Sequence, residues 1–109
     1  MVFPCDYHVH FYFNQETVAL ARQICEEIRD RFAVPMGRVH EKNVGPHPRW
    51  SCVLTVPAEK FGDVISWVCL NRSELTVFIH PNTGDDLKDH WDHAIWMGEI
   101  LELNLSAFY

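Results

Sequence analysis

The sequence predicts an α+β fold of the ferredoxin-like, split βαβ kind, in the order β-α-β-β-α-β, with a C-terminal helix/strand extension. Three observations predict it. The apolar period switches between two and 3.6 along the chain in that order. Pro- and Gly-containing turns punctuate the switches. The length of 109 residues suits one domain, residues 1–109, and is too short for two ordinary ones.

Tyr7 to Phe13 is dense in β-formers and reads as a strand. Tyr7, Val9, Phe11 and Phe13 make one apolar face, and His8, His10 and Tyr12 fall on the other. Asn14 is placed to cap a helix, with Glu16 near its positive end. Val18, Ala21, Cys25, Ile28 and Phe32 follow helical spacing, and Pro35 ends the run. Met36 to Glu41 is a weaker strand, and the turn-rich Asn43-Val44-Gly45-Pro46-His47-Pro48 follows it. Arg49 to Val56 suits a sheet better. Pro57 fits the first turn of a second helix with apolar positions Phe61, Val64, Ile65, Val68 and Cys69. Glu74 to His80 is the fourth strand, closed by Pro81-Asn82-Thr83-Gly84. In the tail, Leu87, Trp91, Ala94 and Ile95 suit a short amphipathic helix, and Leu101, Leu103 and Leu105 alternate like a fifth strand.

Hydrophobic residues make up 48% and charged residues 22%, a balance that excludes a disordered tail. A net charge of -6 argues against a sequence-independent grip on nucleic acid. No apolar run approaches a membrane span, and the opening residues lack a signal-peptide pattern, so a cytoplasmic protein is expected. Cys5, Cys25, Cys52 and Cys69 show no redox or zinc-ribbon spacing and are expected to be reduced and mostly buried, with Cys25 and Cys69 on the apolar helix stripes.

Seven histidines in 109 residues need an explanation. If the first and third strands run parallel at the centre and the second and fourth run antiparallel at the edges, then His8, His10, His40, His47 and His80 converge on one end of the sheet. With both helices on the apolar face of the first strand, His8, His10, Phe78 and His80 share the uncovered face. Imidazole is the commonest transition-metal ligand, and three such ligands with open positions make a catalytic rather than a structural site. The opposing reading of each lone histidine is a hydrogen-bonded surface residue. Downstream, His90 and His93 share a helix face with Asp86, which suits a metal, a carboxylate-histidine pair or a solvated face. Arg49 opens a strand beside the expected site, where its guanidinium could clamp a carboxylate or form an ordinary salt bridge.

His8-Val9-His10-Phe11-Tyr12-Phe13, Gly37-Arg38-Val39-His40-Glu41, Gly45-Pro46-His47-Pro48 and His80-Pro81-Asn82-Thr83-Gly84 with Asp89-His90 resemble the DOPA 4,5-dioxygenase family over nearly the whole chain. The resemblance implies extradiol cleavage of a small, DOPA-like catechol beside its hydroxyl pair, using Fe(II) and O₂. Zinc or nickel could replace the iron in purified protein. His10, His47 and His80 are the first choice of ligands, with His8 a close alternative and Glu41 the best carboxylate if one is required. His40 or His93 is expected as the catalytic acid or base, Tyr12 as a hydrogen-bond donor to bound oxygen, and Arg49 as the holder of a substrate carboxylate.

Two readings from other classes compete: a ligand-binding or assembly domain without catalysis, and a zinc-dependent hydrolase using the same pocket. The expected partners are a catechol and O₂, with neither nucleic acid nor membrane. Four Trp, seven Phe and three Tyr are more than one small core easily hides, which predicts a homodimer or higher homo-oligomer.

Overall fold

A computed structural model describes residues 3–109. Strand β1 (Asp6–Phe13) lies at the centre of a four-stranded sheet, flanked by β2 (Trp50–Pro57) and β3 (Val77–Pro81), with β4 (Ile95–Met97) beyond β3. All three pairings are antiparallel. Helices α1 (Val18–Phe32) and α2 (Phe61–Asn71) lie on one side, and a short helix α3 (Asp86–Asp89) follows β3.

The helices cover the face predicted from residue parity. Val9, Phe11 and Phe13 of β1, Cys52, Leu54 and Val56 of β2, and Val77 and Ile79 of β3 join Ala21, Ile24, Cys25 and Ile28 of α1 and Val64 and Val68 of α2 in one core. A fully buried aliphatic or aromatic side chain stabilises by about 1.5–3 kcal/mol, so this face decides the register. Shifting β1 by one residue would put three histidine and tyrosine side chains into that core.

The structure corrects four expectations about the secondary-structure elements. First, the strand beginning at Trp50 runs antiparallel to β1, not parallel, so Trp50 pairs with Phe13 and Pro57 with Asp6. Second, Met36 to Glu41 is no full strand: it touches the outer edge of β2 only through Met36–Leu54 and His40–Ser51 bridges. Its approach is close, since a Cβ on Gly37 would meet Val53 Cγ1 at 2.8 Å. Third, Asn14 caps a turn rather than the helix. Its Oδ1 accepts from the backbone N–H groups of Glu16 and Thr17, and α1 starts only at Val18.

Fourth, the tail differs from the expected helix and fifth strand. Ile95–Met97 pairs with Val77–Ile79, because the edge of β3 offers unpaired backbone groups and the helical pattern ends at Asp89. Leu101 and Leu103 pair with no strand, and Leu105–Phe108 forms a 3₁₀ turn. All four cysteines are free. Cys25 and Cys52 are buried as expected, whereas Cys5 and Cys69 are exposed. No helix among the described residues is long and apolar enough to cross a membrane.

Candidate metal centre

The second face of the sheet carries His8, His10 and Tyr12 from β1, and Phe78 and His80 from β3. Cross-strand register brings His8 opposite His80 and His10 opposite Phe78. This face is covered rather than open: Tyr12, Phe78 and His80 are 1%, 0% and 2% exposed. The cover has three parts: the Val44–Pro48 loop, which brings His47 onto His10; His90, just after α3, against His80; and Phe108, against His90.

His8, His10 and His80 form the group that could hold a metal, with one ring nitrogen of each within 4.8 Å of the others. The Nε2 atoms of His10 and His80 are 3.2 Å apart. Two nitrogen ligands bound at ~2.1 Å to one tetrahedral ion stand roughly 3.4 Å from each other, so the pair already has the spacing of ligands. His80 Nδ1–H donates to the Pro81 carbonyl at 2.9 Å, which leaves the lone pair on Nε2. A second-layer hydrogen bond of this kind is what orients metal-binding imidazoles.

Burial and mutual repulsion keep the rings neutral. Burial, opposed in part by the bond to Pro81 and reinforced by His90 and His8, pushes His80 down to about 4. His10 is held well below its ordinary range by burial and then by His47, His80 and His8. His8 is lowered by burial against the opposing charge of Asp6. Neutral imidazole is the form that ligates, so the donor set fits a transition metal of intermediate softness. The group contains no carboxylate. Glu41, the carboxylate considered from sequence, is exposed.

His47 stands beside this group rather than in it. Its Nδ1 lies 2.7 Å from Tyr12 Oη, and its ring centroid lies 4.2 Å from that of His10. Burial pushes the Tyr12 hydroxyl well above its ordinary range, and no other partner for it is present among the described residues. The hydroxyl therefore donates to Nδ1 and leaves Nε2–H as the outward donor of His47. Burial, then the neighbouring histidines, lowers His47 to about 4. Tyr12 thus spends its proton on His47, where the sequence reading aimed it at bound oxygen.

The other sequence candidates fall apart in space. His40 pairs with Ser51, which pairs with Tyr12, so it lies two strands out from β1 and at the opposite end from His8. His93 Nδ1 is held by Asp89 at 2.9 Å. Asp89 is buried and also accepts from Thr83 N–H and Thr83 Oγ1 at 2.8 and 2.7 Å. Burial raises its carboxyl, but the bonds from Thr83 and His93 outweigh this and hold it low. Asp89 and His93 therefore latch α3 to the turn after β3. That latch brings His90 inward, 4.1 Å from the His80 ring, with Nδ1–H donated to the Asp86 carbonyl at 2.7 Å. From sequence, His90 is offered only jointly with His93, as a metal, carboxylate-histidine or solvated pair, with His93 singled out as the catalytic candidate. Its signal was the three-residue spacing to His93, which cannot tell which ring turns inward. Arg49 holds Glu99 through two contacts of 3.3 and 3.2 Å, the salt-bridge alternative.

Residues 7–107 match the model of the Dopa 4,5-dioxygenase family. The chain belongs to this family. It is 37% identical to a DOPA 4,5-dioxygenase of Amanita muscaria and 40% identical to an uncharacterized 21.2 kDa protein of Botryotinia fuckeliana, each over 93% of the chain. The chain spans 48% and 61% of those relatives' lengths. A Nostoc punctiforme crystal structure, described as a dioxygenase candidate, superimposes with a TM-score of 0.91 at 34% identity, covering 94% of this chain and 89% of that one. The mixed α/β sandwich of the family is therefore the fold of this chain, and the four histidine-bearing motifs lie within the matched residues.

Proposed function

We propose that the chain is an extradiol ring-cleaving dioxygenase acting on a small catechol, with Fe(II) held by His8, His10 and His80. The observation that carries the reading is a group of three neutral imidazoles, two of them buried, in a chain of the Dopa 4,5-dioxygenase family. Bound Fe(II) supplies a double positive charge that lowers the pKa of a catechol hydroxyl and a redox centre for O₂.

The chain's own residues divide the remaining work. His47, with Tyr12 on its Nδ1, presents a fixed N–H donor beside His10. His90, anchored through Nδ1, keeps an Nε2 lone pair near His80 and is better placed than His40 or His93 to take a hydroxyl proton. Tyr12 is a positioning residue that sets the His47 tautomer. Phe78 and Trp96, stacked 4.6 Å apart, exclude water from this face.

Anaerobic loading with Fe(II), then admission of O₂ with DOPA, caffeate, protocatechuate or catechol, is expected to consume O₂ and give a yellow ring-opened semialdehyde. An iron-replete protein that consumes no O₂ with any of them overturns the enzyme reading in favour of a binding or assembly domain. Hydrolysis by the zinc-loaded protein would favour the hydrolase.

The same proposal includes a homodimer. Trp91, Ile95 and Ile100 are 69%, 41% and 81% exposed around β4, whose outer edge is unpaired among the described residues. Such an apolar strand edge favours pairing with a second copy. Sedimentation at micromolar concentration is expected to show a species of twice the chain mass, and a monomer alone overturns this part.

A further inference from the structure

His8 is the member of the metal group whose ring makes no hydrogen bond among the described residues. The His10 and His80 rings meet through their Nε2 atoms, and His80 is also anchored to the Pro81 carbonyl. His8 joins them by ring contact, with centroids 5.7 Å from His10 and 5.1 Å from His80. A histidine that ligates through one nitrogen needs an acceptor for the N–H on the other. That acceptor decides which nitrogen is free to bind.

Asp6 is placed to be that acceptor. Residues two apart on a strand share a face, so Asp6 lies on the side of β1 that carries His8 and His10. Along the strand His8 stands between them, roughly 7 Å from each. One nitrogen of His8 lies within 4.8 Å of the ligating nitrogens of His10 and His80, which leaves the other for an outer partner.

Asn82, two residues past His80, braces Asp6. Its Nδ2 donates to Asp6 Oδ1 at 2.8 Å, and its backbone N–H donates to the Asp6 carbonyl at 3.1 Å. This double contact closes the β1–β3 ladder just beyond the Tyr7–Pro81 and His8–His80 pairs. Oδ2 of Asp6 accepts no hydrogen bond among the described residues. Asp89, whose charge acts on His80, has both oxygens engaged by Thr83 and His93. The Asp6 charge opposes the effect of burial on His8, so the carboxylate is near enough to act on that ring.

We propose that Asp6 is a positioning residue of the metal centre: braced by Asn82, its free Oδ2 accepts the second ring N–H of His8 when His8 ligates, and so fixes which nitrogen His8 presents to the metal. This rests on the reading of His8, His10 and His80 as the ligand set.

The test is the affinity for Zn(II), read by competition against a coloured chelator, with Asp6→Asn made in the wild-type and in the His8→Ala background. In Asp6→Asn the contact with Asn82 can persist, but an NH₂ replaces Oδ2 and meets the His8 N–H donor to donor. The expected loss is about tenfold or more in the wild-type background and less than about twofold without His8. Asn82→Ala frees the carboxylate without removing it and should cost less than Asp6→Asn. In the Zn(II)-loaded wild-type protein the His8 ring N–H should give a slowly exchanging proton resonance far downfield, which Asp6→Asn should remove. A strand-end clip acts whether or not His8 is present, so an equal loss in both backgrounds overturns the proposal. No loss in either background, or a His8 N–H resonance unchanged by Asp6→Asn, overturns it too. If His8→Ala alone binds Zn(II) as tightly as the wild type, the ligand set is wrong and takes this inference with it.

Discussion

Replacing His10 or His80 by alanine is expected to lower the affinity for Fe(II) or Zn(II) by about 10²-fold or more, with the fold retained. Loss of an outer partner of a metal ligand typically costs 10- to 100-fold, so loss of a ligand itself should cost at least the upper end. Either substitution removes one of two Nε2 atoms that stand 3.2 Å apart, and leaves at most two imidazoles of the group. His8→Ala should behave similarly, since His8 is the third member and the one nearest solvent. His47→Ala should keep one metal per chain and lose no more than about tenfold, because it acts on His10 by packing. Competition against a coloured chelator measures each affinity, and far-ultraviolet circular dichroism checks the fold. If His47→Ala abolishes binding while His8→Ala leaves it intact, the ligand set is His10, His47 and His80 instead.

Much of this centre is legible in the sequence for one physical reason. A strand alternates its faces, so the apolar run Val9, Phe11 and Phe13 commits His8, His10 and Tyr12 to the opposite side. The same parity on β3 puts His80 on that side, and the antiparallel register sets it against His8. What is not legible is long-range. His47 precedes a strand whose start lies beside Phe13, and only the fold of its loop returns it to His10. His40 looks equivalent to His80 in sequence, yet it ends on the outer side of β2, because Met36 to Glu41 pairs through two bridges only. His90 and His93 are told apart by a tertiary contact: the buried Asp89 carboxylate takes His93 together with Thr83 and so turns His90 inward. The tail is misread because amphipathic spacing over Leu87 to Ile95 competes with the unpaired edge of β3, which takes Ile95–Met97 as a strand.

The metal-free protein is expected to lose stability steeply as the pH falls from about 6.5 to about 4. His47 and His80 each titrate near 4 in the folded state, against an ordinary value of 6.5, mainly because burial disfavours their charged form. Between those two values the unfolded chain binds more protons than the folded one, so stability rises with pH across the window. The contribution is fully present above 6.5, declines through the window and is exhausted below the folded values. A shift of this size corresponds to up to about 3 kcal/mol for each ring, and His10 shifts in the same direction. The rings repel one another when charged, so their contributions overlap and the combined loss falls short of the sum. Even one such contribution is a large part of the roughly 5–15 kcal/mol that holds a small domain folded. Urea midpoints measured in chelator between pH 7.5 and 4 should therefore fall continuously below pH 6.5. His47→Gln should reduce the slope by its own share, since an amide can accept the Tyr12 hydroxyl without titrating. A midpoint that stays constant from pH 7 to 5 would mean that these rings are not held neutral by burial, and would remove the argument that they are poised as ligands at neutral pH.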